Sequence, residues 1–350
     1  MTFLEPLKIE DRLYCPKRIL VTGGLGFIGS SVCRHLSSLY PDYFLLILDK
    51  VDYCSSTENV SECLRSNNCK LVKGDVLSSD LLRFLLEEEQ IDTVLHFAAC
   101  THVDNSFGSS LTFTHNNVLG THVLLECCRQ YGRIKRFIHV STDEVYGGEN
   151  ILSDETSLLE PTNPYACTKA AAELISRGYS KSFGLPIIIT RGNNVYGPCQ
   201  FPDKLIPKSI CLLSLNKPAF LHGSGEHKRN FLFVDDAARA FDYILHRGLT
   251  NEVYNIGSND EKSNLEVLLD LLKLFGLESM SDKYIERVKD RAFNDLRYKI
   301  DSTKLKQLGW NQRVTWESGL LFTKEWYCNV ENLKRWPNYE ASLQPHPSLG

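Results

Sequence analysis

The chain has 350 residues and a net charge of −4, and 43% of its residues are hydrophobic, which is typical of an ordinary globular protein. This slight acidity, without a long basic run, argues against nucleic acid as a partner, and no apolar stretch reaches the ~20 residues that a membrane-spanning helix needs. Residues 1–17 are polar and lack the apolar core of a signal peptide, so we expect a soluble, cytoplasmic protein.

A glycine-rich turn lies between the first predicted strand and the first predicted helix. Residues 17–22 are apolar and β-branched, as in a strand, and residues 30–36 have helical character. The turn between them reads Gly23-Gly24-Leu25-Gly26-Phe27-Ile28-Gly29. Such glycines let the backbone approach a pyrophosphate, which a helix N-terminus also attracts. The turn therefore predicts a dinucleotide site, although any strand-to-helix turn of an α/β protein can carry glycines.

The second predicted strand supports the dinucleotide interpretation. It covers residues 44–48 and is followed by Asp49, which lies 20 residues beyond Gly29. An acidic residue at this position accepts hydrogen bonds from the adenosine ribose and repels a 2′-phosphate. The sequence therefore predicts NAD, in preference to NADP, as the cofactor.

The rest of the chain alternates between the two kinds of element. Further strands are predicted at 70–72, 93–97, 137–140 and 187–190, and helices at 81–89, 112–130 and 165–183. Repeated strand–helix units predict an α/β fold with a Rossmann-like, doubly wound parallel sheet. After Gly197 the pattern loosens into helices at 234–245 and 264–274 and a strand at Val253–Ile256.

This change of pattern predicts two interleaved lobes. We expect an NAD-binding domain that also holds the catalytic residues at 17–197, a mainly substrate-binding lobe at 198–330, and terminal extensions at 1–16 and 331–350. Because ligands of such sheets bind beyond the carboxyl ends of the strands, the residues that follow each strand form the candidate site. Those residues include Asp75, within reach of an adenine amino group, the small Ala98 and Ala99, and the triplet Thr142, Asp143 and Glu144.

Tyr165 and Lys169 stand four residues apart on a predicted helix and therefore share one of its faces. An ammonium near a phenol favours the phenolate, so we expect Lys169 to lower the pKa of Tyr165, which can then act as a base. Asp143 and Glu144 follow a predicted buried strand and can supply an acid and a base to the same ligand. Two adjacent acids are ordinarily a solvated loop pair, but the strand and the Tyr–Lys pair favour proton transfer.

The twelve cysteines are scattered along the chain. They form no Cys-x-x-Cys pair, and no histidine lies at metal-binding distance from them in the sequence. Neither a metal site nor a disulfide framework is expected.

Six segments resemble the extended short-chain dehydrogenase/reductase family and, within it, the dTDP-glucose 4,6-dehydratases. They are TGGLGFIG, HFAACTHVD, STDEVYG, NPYACTK, RGNNVYGPCQFPDKLIP and DRAFNDLRYKID, and they follow that family's order from about Arg18 to about Trp326. The Thr-Asp-Glu triplet distinguishes the dehydratases from the related sugar epimerases.

The resemblance implies dehydration of a nucleotide-diphospho-glucose to a 4-keto-6-deoxy sugar. In that reaction Tyr165 takes the proton of the sugar 4-hydroxyl while a hydride leaves C4 for NAD⁺, and Thr142 hydrogen-bonds the C4 oxygen. Glu144 then removes the C5 proton, and Asp143 protonates the departing C6 hydroxyl. The hydride finally returns to C6 and a proton returns to C5. Lys169 also holds the nicotinamide ribose.

The resemblance also implies binding residues and an assembly. For the cofactor they are Gly23, Gly26, Phe27, Ile28, Gly29, Asp49, Asp75, Val76, Ala98, Ala99, Thr101, Tyr165, Lys169 and Val195. For the substrate they are Thr101, Thr142, Asn194, Lys204, Leu205, Arg229, Asn255 and Arg291, with Arg297 as a further candidate. Arginine suits a diphosphate because its planar fork donates two parallel hydrogen bonds, although most arginines form surface salt bridges. Helices 112–130 and 165–183 are expected to pair with a second copy in a homodimer.

The sequence leaves the nucleotide and the reaction open. The chain departs from the family's usual residues at Gly192, Asn230 and Ala292, and a thymine methyl contributes only ~1–3 kcal/mol, so either dTDP or UDP remains possible. Besides the dehydratase, we consider another nucleotide-sugar enzyme, such as a 4-epimerase or a decarboxylase, and a non-catalytic NAD-binding module. The joint presence of the acid pair with Tyr165 and Lys169 favours the dehydratase.

Overall fold

The computed structural model describes residues 5–148, 152–289 and 295–346. Its strands are β1 (Arg18–Thr22), β2 (Phe44–Asp49), β3 (Cys69–Lys73), β4 (Thr93–His96), β5 (Arg136–Thr142), β6 (Leu152–Ser153), β7 (Ile187–Gly192), β8 (Asn194–Tyr196), β9 (Ala219–His222), β10 (Lys228–Phe233), β11 (Val253–Ile256), β12 (Glu261–Ser263), β13 (Ile285–Val288) and β14 (Lys299–Ile300). Its α-helices are α1 (Phe27–Leu39), α2 (Ser61–Leu64), α3 (Ser79–Glu88), α4 (Val103–Gly108), α5 (Ser110–Phe113), α6 (Gly120–Tyr131), α7 (Pro164–Phe183), α8 (Leu205–Ser214), α9 (Val234–Arg247), α10 (Asn264–Phe275), α11 (Ser281–Tyr284), α12 (Thr303–Gln307) and α13 (Trp316–Cys328).

Seven parallel strands form the central sheet, in the order β11-β7-β5-β4-β1-β2-β3. The chain starts in the middle, at β1, and winds outward in both directions. Ile19, Leu20 and Val21 of β1 are fully buried, because helices cover both faces of a parallel sheet. The predicted Rossmann-like fold class is confirmed.

The predicted helix over 112–130 is the element that differs most from the structure. It consists of α5, a π-helical stretch at Thr114–Leu119, and α6. The wider turns of a π-helix are frequent at functional sites. Here Asn117 in that stretch accepts a hydrogen bond from the Cys100 amide (2.7 Å) and donates one to Thr168 (3.0 Å). The π-helical stretch thus ties the loop after β4 to α7.

The second half of the chain contributes to the central layer as well as to a smaller lobe. Strand β11 pairs with β7 at the edge of the sheet, and α9 packs against α1 in the main hydrophobic core. A second core is built from α8, α10 and α13 with β9 and β10. The second half of the chain therefore contributes both to the central layer and to this second core, which we call the smaller lobe. Within the described ranges, we find no helix that is both long and apolar enough to cross a bilayer.

Candidate active site

A cleft of about 710 Å³ runs along the carboxyl ends of the central strands, between the sheet and the smaller lobe. Its size falls in the range of ~300–1,000 Å³ that is usual for ligand sites. Most of the predicted site residues line it: Gly23, Gly26, Phe27, Ile28, Gly29, Asp49, Asp75, Val76, Ala98, Ala99, Thr101, Thr142, Glu144, Tyr165, Lys169, Asn194, Val195, Lys204, Leu205 and Arg229.

Three residues named from the sequence do not line the cleft, and a fourth falls outside the described residues. Asn255 is fully buried in β11, where it accepts a hydrogen bond from Tyr146 (2.8 Å) and donates one to the Asp301 carbonyl (3.0 Å), so a substrate contact does not fit its position. Arg297 is held in an ion pair with Glu261. Asp143 lies behind the cleft wall, and Arg291 lies outside the described residues.

The glycine turn forms one end of the cleft. Gly23 has a φ of +69°, and a Cβ atom there would lie 2.6 Å from the Ala98 amide nitrogen, so only glycine fits. This close approach brings the turn after β1 against the loop after β4. Helix α1 begins directly after Gly26, and its N-terminus attracts anions. The turn therefore fits a pyrophosphate.

Asp49 is fixed at the end of β2 beside this turn. One carboxylate oxygen accepts the Leu25 amide (3.0 Å), and the other accepts the Val51 amide (2.8 Å) and the Ser55 hydroxyl (3.1 Å). Burial raises the pKa of Asp49, and these hydrogen bonds oppose that shift. The carboxylate is thus presented to the cleft in one orientation, as a ribose diol requires.

Strand β5 ends in a short turn that separates the two adjacent acids. Thr142 caps the 3-10 helix Asp143–Tyr146, and its hydroxyl oxygen accepts the Glu144 amide at 3.3 Å. The same hydroxyl donates to Asp143 at 3.1 Å. As a result, Glu144 lines the cleft while Asp143 is directed into the protein, where it is 2% exposed.

The environment of Asp143 favours its protonated form. Burial raises its pKa to about 7, and the nearby charge of Glu144 contributes to the rise. Hydrogen bonds from Thr142 and from Asn193, whose amide donates at 2.7 Å, oppose the shift only in part. Near neutral pH this carboxyl therefore carries a proton for much of the time, as an acid in the reaction requires.

The prediction that Lys169 lowers the pKa of Tyr165 was wrong. The Lys169 ammonium donates to the Val140 carbonyl at 2.6 Å, and burial lowers its pKa to about 8. The pKa of Tyr165 is raised, chiefly by burial and secondly by the charge of Glu144. The spacing correctly predicted the shared face, but burial of the phenol and the charge of Glu144 determine the pKa of Tyr165.

Asn163 is a site residue that our reading of the sequence missed. Its side-chain oxygen accepts the Ala166 amide at 2.9 Å and so caps α7, while its amide donates to Glu144 at 2.8 Å. An asparagine before a proline at the first helical position is a known start signal for a helix, so the cap could have been predicted. The bond to Glu144 depends on tertiary structure.

Replacing Asn163 by Ala is expected to lower the free energy of unfolding by ~1 kcal/mol, because the cap of α7 is lost. It should also lower kcat roughly tenfold, because Glu144 loses a charged hydrogen bond. Asn163→Ser keeps a capping oxygen but lacks the amide that donates to Glu144, so it should preserve stability while still lowering kcat. Denaturant titration and steady-state kinetics of both variants separate the two effects. Equal stability of Asn163→Ala and the wild type would contradict the capping role.

Arg229 is held on the smaller-lobe side of the cleft. Its guanidinium donates to the Asp295 carbonyl at 2.9 Å and lies 4.5 Å from the centre of the Tyr298 ring. The Tyr298 hydroxyl in turn donates to the Asp295 carboxylate. Tyr298, which also lines the cleft, is a second residue that we missed, because its contact with Arg229 joins segments far apart in the chain.

Comparison with known proteins agrees with this geometry. The model of the family described as GDP-mannose 4,6 dehydratase matches residues 20–321. The chain is 46% identical to the human dTDP-D-glucose 4,6-dehydratase, over 95% of both chains. It is 52% identical to an Arabidopsis thaliana trifunctional UDP-glucose 4,6-dehydratase/UDP-4-keto-6-deoxy-D-glucose 3,5-epimerase/UDP-4-keto-L-rhamnose-reductase, over 96% of this chain but only 51% of the plant protein.

A solved structure of a 4,6-dehydratase is also similar to this chain. The dTDP-glucose 4,6-dehydratase from Streptomyces venezuelae, solved with NAD bound, superposes with a TM-score of 0.86 at 37% identity, over 92% of this chain and 99% of that one. The chain therefore belongs to the family described as GDP-mannose 4,6 dehydratase.

Proposed function

We propose that the chain is an NAD-dependent 4,6-dehydratase that converts dTDP-glucose or UDP-glucose to the corresponding 4-keto-6-deoxy sugar. The observation that carries this proposal is the different placement of the two adjacent acids. Asp143 is buried and has a pKa of about 7, whereas Glu144 lines the cleft together with Tyr165. Loss of water across C5 and C6 needs one group that accepts a proton and one that donates it. Similar proteins are named for dehydration of both dTDP-glucose and UDP-glucose.

The residues at the sheet end of the cleft fit NAD. The glycine turn cradles a pyrophosphate, Asp49 faces a ribose, and the small Ala98 and Ala99 leave room against the loop after β4. When bound, NAD would supply the acceptor and donor of the hydride. We propose that residues 17–197 mainly hold NAD and residues 198–330 mainly hold the nucleotide sugar. Binding measurements with variants of both regions test this division. Cleft substitutions within residues 17–197 should mainly weaken NAD binding, and those within residues 198–330 should mainly weaken dTDP binding.

The residues of this chain then divide the proton transfers. Tyr165 takes the proton of the 4-hydroxyl, and Thr142, which hydrogen-bonds Tyr165, steadies the C4 oxygen. Glu144, held by Asn163, removes the proton from C5. Asp143, which hydrogen-bonds the cleft residue Thr142 at 3.1 Å, gives its proton through that hydroxyl to the departing C6 hydroxyl. A proton returns to C5 when the hydride is delivered to C6. Burial and the charge of Glu144 raise the pKa of Tyr165, so its proton must leave before the phenolate can accept the proton of the 4-hydroxyl. The positive charge that NAD⁺ would bring to the cleft favours that loss.

A mass-spectrometric assay tests the proposed reaction. Incubation with dTDP-glucose and with UDP-glucose is expected to give, from at least one of them, a nucleotide sugar lighter by one water. Tyr165→Phe should abolish that product. A C4 epimer of unchanged mass would instead support an epimerase, and NAD binding without turnover of either sugar would support a non-catalytic binding module.

We also propose a homodimer, because α5 to α7 expose apolar side chains. Leu111, Leu119, Leu174 and Phe183 are exposed there, and Leu111 and Leu119 line a shallow groove together with Val118. Unpartnered apolar patches of this kind mark interaction sites. Light scattering should give about twice the 39.8 kDa chain mass.

Replacing Leu111 by Glu should shift that mass toward the monomer, because a charge would be buried in the interface. Leu158, equally apolar and exposed on the loop between β6 and α7, provides the control, so Leu158→Glu should leave the mass unchanged. A wild-type chain that is monomeric at assay concentration would contradict the proposal.

We also propose that the protein is cytoplasmic. All twelve cysteines are free thiols, and several are buried core residues. Free thiols in this number are typical of a reducing compartment. Recovery of the chain from a membrane or secreted fraction would contradict it.

A further inference from the structure

The C-terminal extension ends against the wall of the cleft. After α13, the 3-10 helices Val330–Arg335 and Tyr339–Leu343 lead the chain back over the smaller lobe. Trp336 and Leu343 are buried in the second core, which fixes the path of this segment. Two residues after Leu343, Pro345 lines the cleft. The extension therefore reaches a ligand site, although the sequence alone assigned it no role.

The contacts of the last described residues are made with elements that form the cleft. Lys208 of α8 donates to the Gln344 carbonyl at 3.0 Å. The His346 ring meets the ring of His222, at the end of β9, edge to face, with 4.8 Å between the ring centres. Lys208 and His222 both line the cleft. The extension is thus joined to the site itself.

The position along the cleft identifies the ligand group that this wall would meet. The glycine turn and Asp49 follow the neighbouring strands β1 and β2, whereas Thr142 ends β5, on the other side of β4 in the sheet. The proposed function places the sugar beside Thr142 and Tyr165, which both line the cleft. The smaller lobe supplies the remaining wall, which includes Lys204, Leu205, Lys208, Phe220, His222, Arg229 and Pro345. Cationic side chains with an aromatic ring suit a diphosphate and a nucleobase.

We propose that the C-terminal extension is part of the substrate-binding site. Pro345 completes the wall of the compartment that takes the nucleoside diphosphate of the substrate, and the Gln344 carbonyl holds the Lys208 ammonium in place beside it. This inference rests on the proposed nucleotide-sugar function. Its consequence is that the extension controls the affinity for the nucleotide part of the substrate and leaves the affinity for NAD unaffected.

Two added charges test this assignment. Pro345→Asp places a carboxylate on the wall, so it should weaken binding of dTDP and of UDP at least tenfold in calorimetric titrations and raise the KM for the sugar more than it lowers kcat. NAD affinity should stay within twofold of the wild type. Ala341→Asp adds the same charge to an exposed residue of the same extension, and it should change neither affinity.

A pair of shortened chains provides an independent measurement. A chain that ends at Leu343 lacks the contacts with Lys208 and His222 and should show the same loss of nucleotide affinity, whereas a chain that ends at His346 should match the wild type. Unchanged nucleotide affinity in Pro345→Asp and in the chain ending at Leu343 would overturn the inference. Parallel loss of NAD affinity would also overturn it, because the effect would then be on the fold.

The proposed function and the role of the extension can be disproved separately. If the wild-type chain binds neither dTDP nor UDP, the nucleotide-sugar function is wrong and the inference falls with it. If the wild type binds and dehydrates a nucleotide sugar while the two altered chains behave as it does, only the role of the extension is wrong.

Discussion

Glu144→Gln is expected to stop the reaction after oxidation at C4. The glutamine keeps an oxygen that can accept the hydrogen bond from Asn163, so its position should be preserved, but it cannot take the C5 proton. Removing a general base lowers a rate by ~10²–10⁴-fold. Mixing the variant with NAD and substrate should therefore give the ultraviolet absorbance of reduced nicotinamide without loss of water.

Glu160 offers a matched control for this experiment. It is an exposed glutamate on the loop between β6 and α7, so Glu160→Gln changes the charge equally but should leave turnover unchanged. Normal water loss by Glu144→Gln would show that another group removes the C5 proton. Absence of the nicotinamide signal would place the residue in C4 oxidation instead.

Asp143→Asn should have opposite effects on activity and on stability. The asparagine cannot donate a proton to the C6 hydroxyl, so water loss should fall by ~10²–10⁴-fold. It can still accept the hydrogen bond from Asn193, and it removes a buried group whose ionisation is unfavourable. A pKa raised from 3.8 to about 7 corresponds to roughly 4 kcal/mol, so at about pH 8 the variant should be more stable by up to that amount.

The pH dependence of these effects follows from the direction of the shift. Because the folded chain binds the Asp143 proton more tightly than the unfolded chain does, wild-type stability falls relative to the variant as the pH rises from about 4 to about 7, and the difference is constant above that. The rate of water loss by the wild type should fall above pH 7 as the acid ionises. Denaturant titrations of both proteins across this range measure the first effect. A stability difference independent of pH would contradict the raised pKa.

The fold was predictable because its signals are local. The alternation of short apolar runs with amphipathic segments gave the parallel sheet, and the turn from Gly23 to Gly29 marked where the ligand end begins. Helix α7 carries its own start signal in Asn163 and Pro164. The π-helical stretch at Thr114–Leu119 was missed, because it depends on contacts of Asn117 with Cys100 and Thr168 that no local pattern encodes.

The sequence predicted which residues form the site better than it predicted their pKa values. Spacing correctly indicated that Tyr165 and Lys169 share a face, but it could not show that burial raises the pKa of the phenol. The two adjacent acids were recognised as a pair, yet only the turn capped by Thr142 shows which one is buried. Asn255 was predicted to contact the substrate, but its side chain instead hydrogen-bonds Tyr146 and the Asp301 carbonyl.

In the proposed reaction, a hydride leaves C4 and returns to C6 of the same sugar while Glu144 and Asp143 remove water. A substrate labelled with deuterium at C4 tests it most directly, with dTDP-glucose and UDP-glucose as the two candidates. We expect the dehydrated product to carry the deuterium at C6. Deuterium that stays at C4, or is lost to solvent, would contradict it.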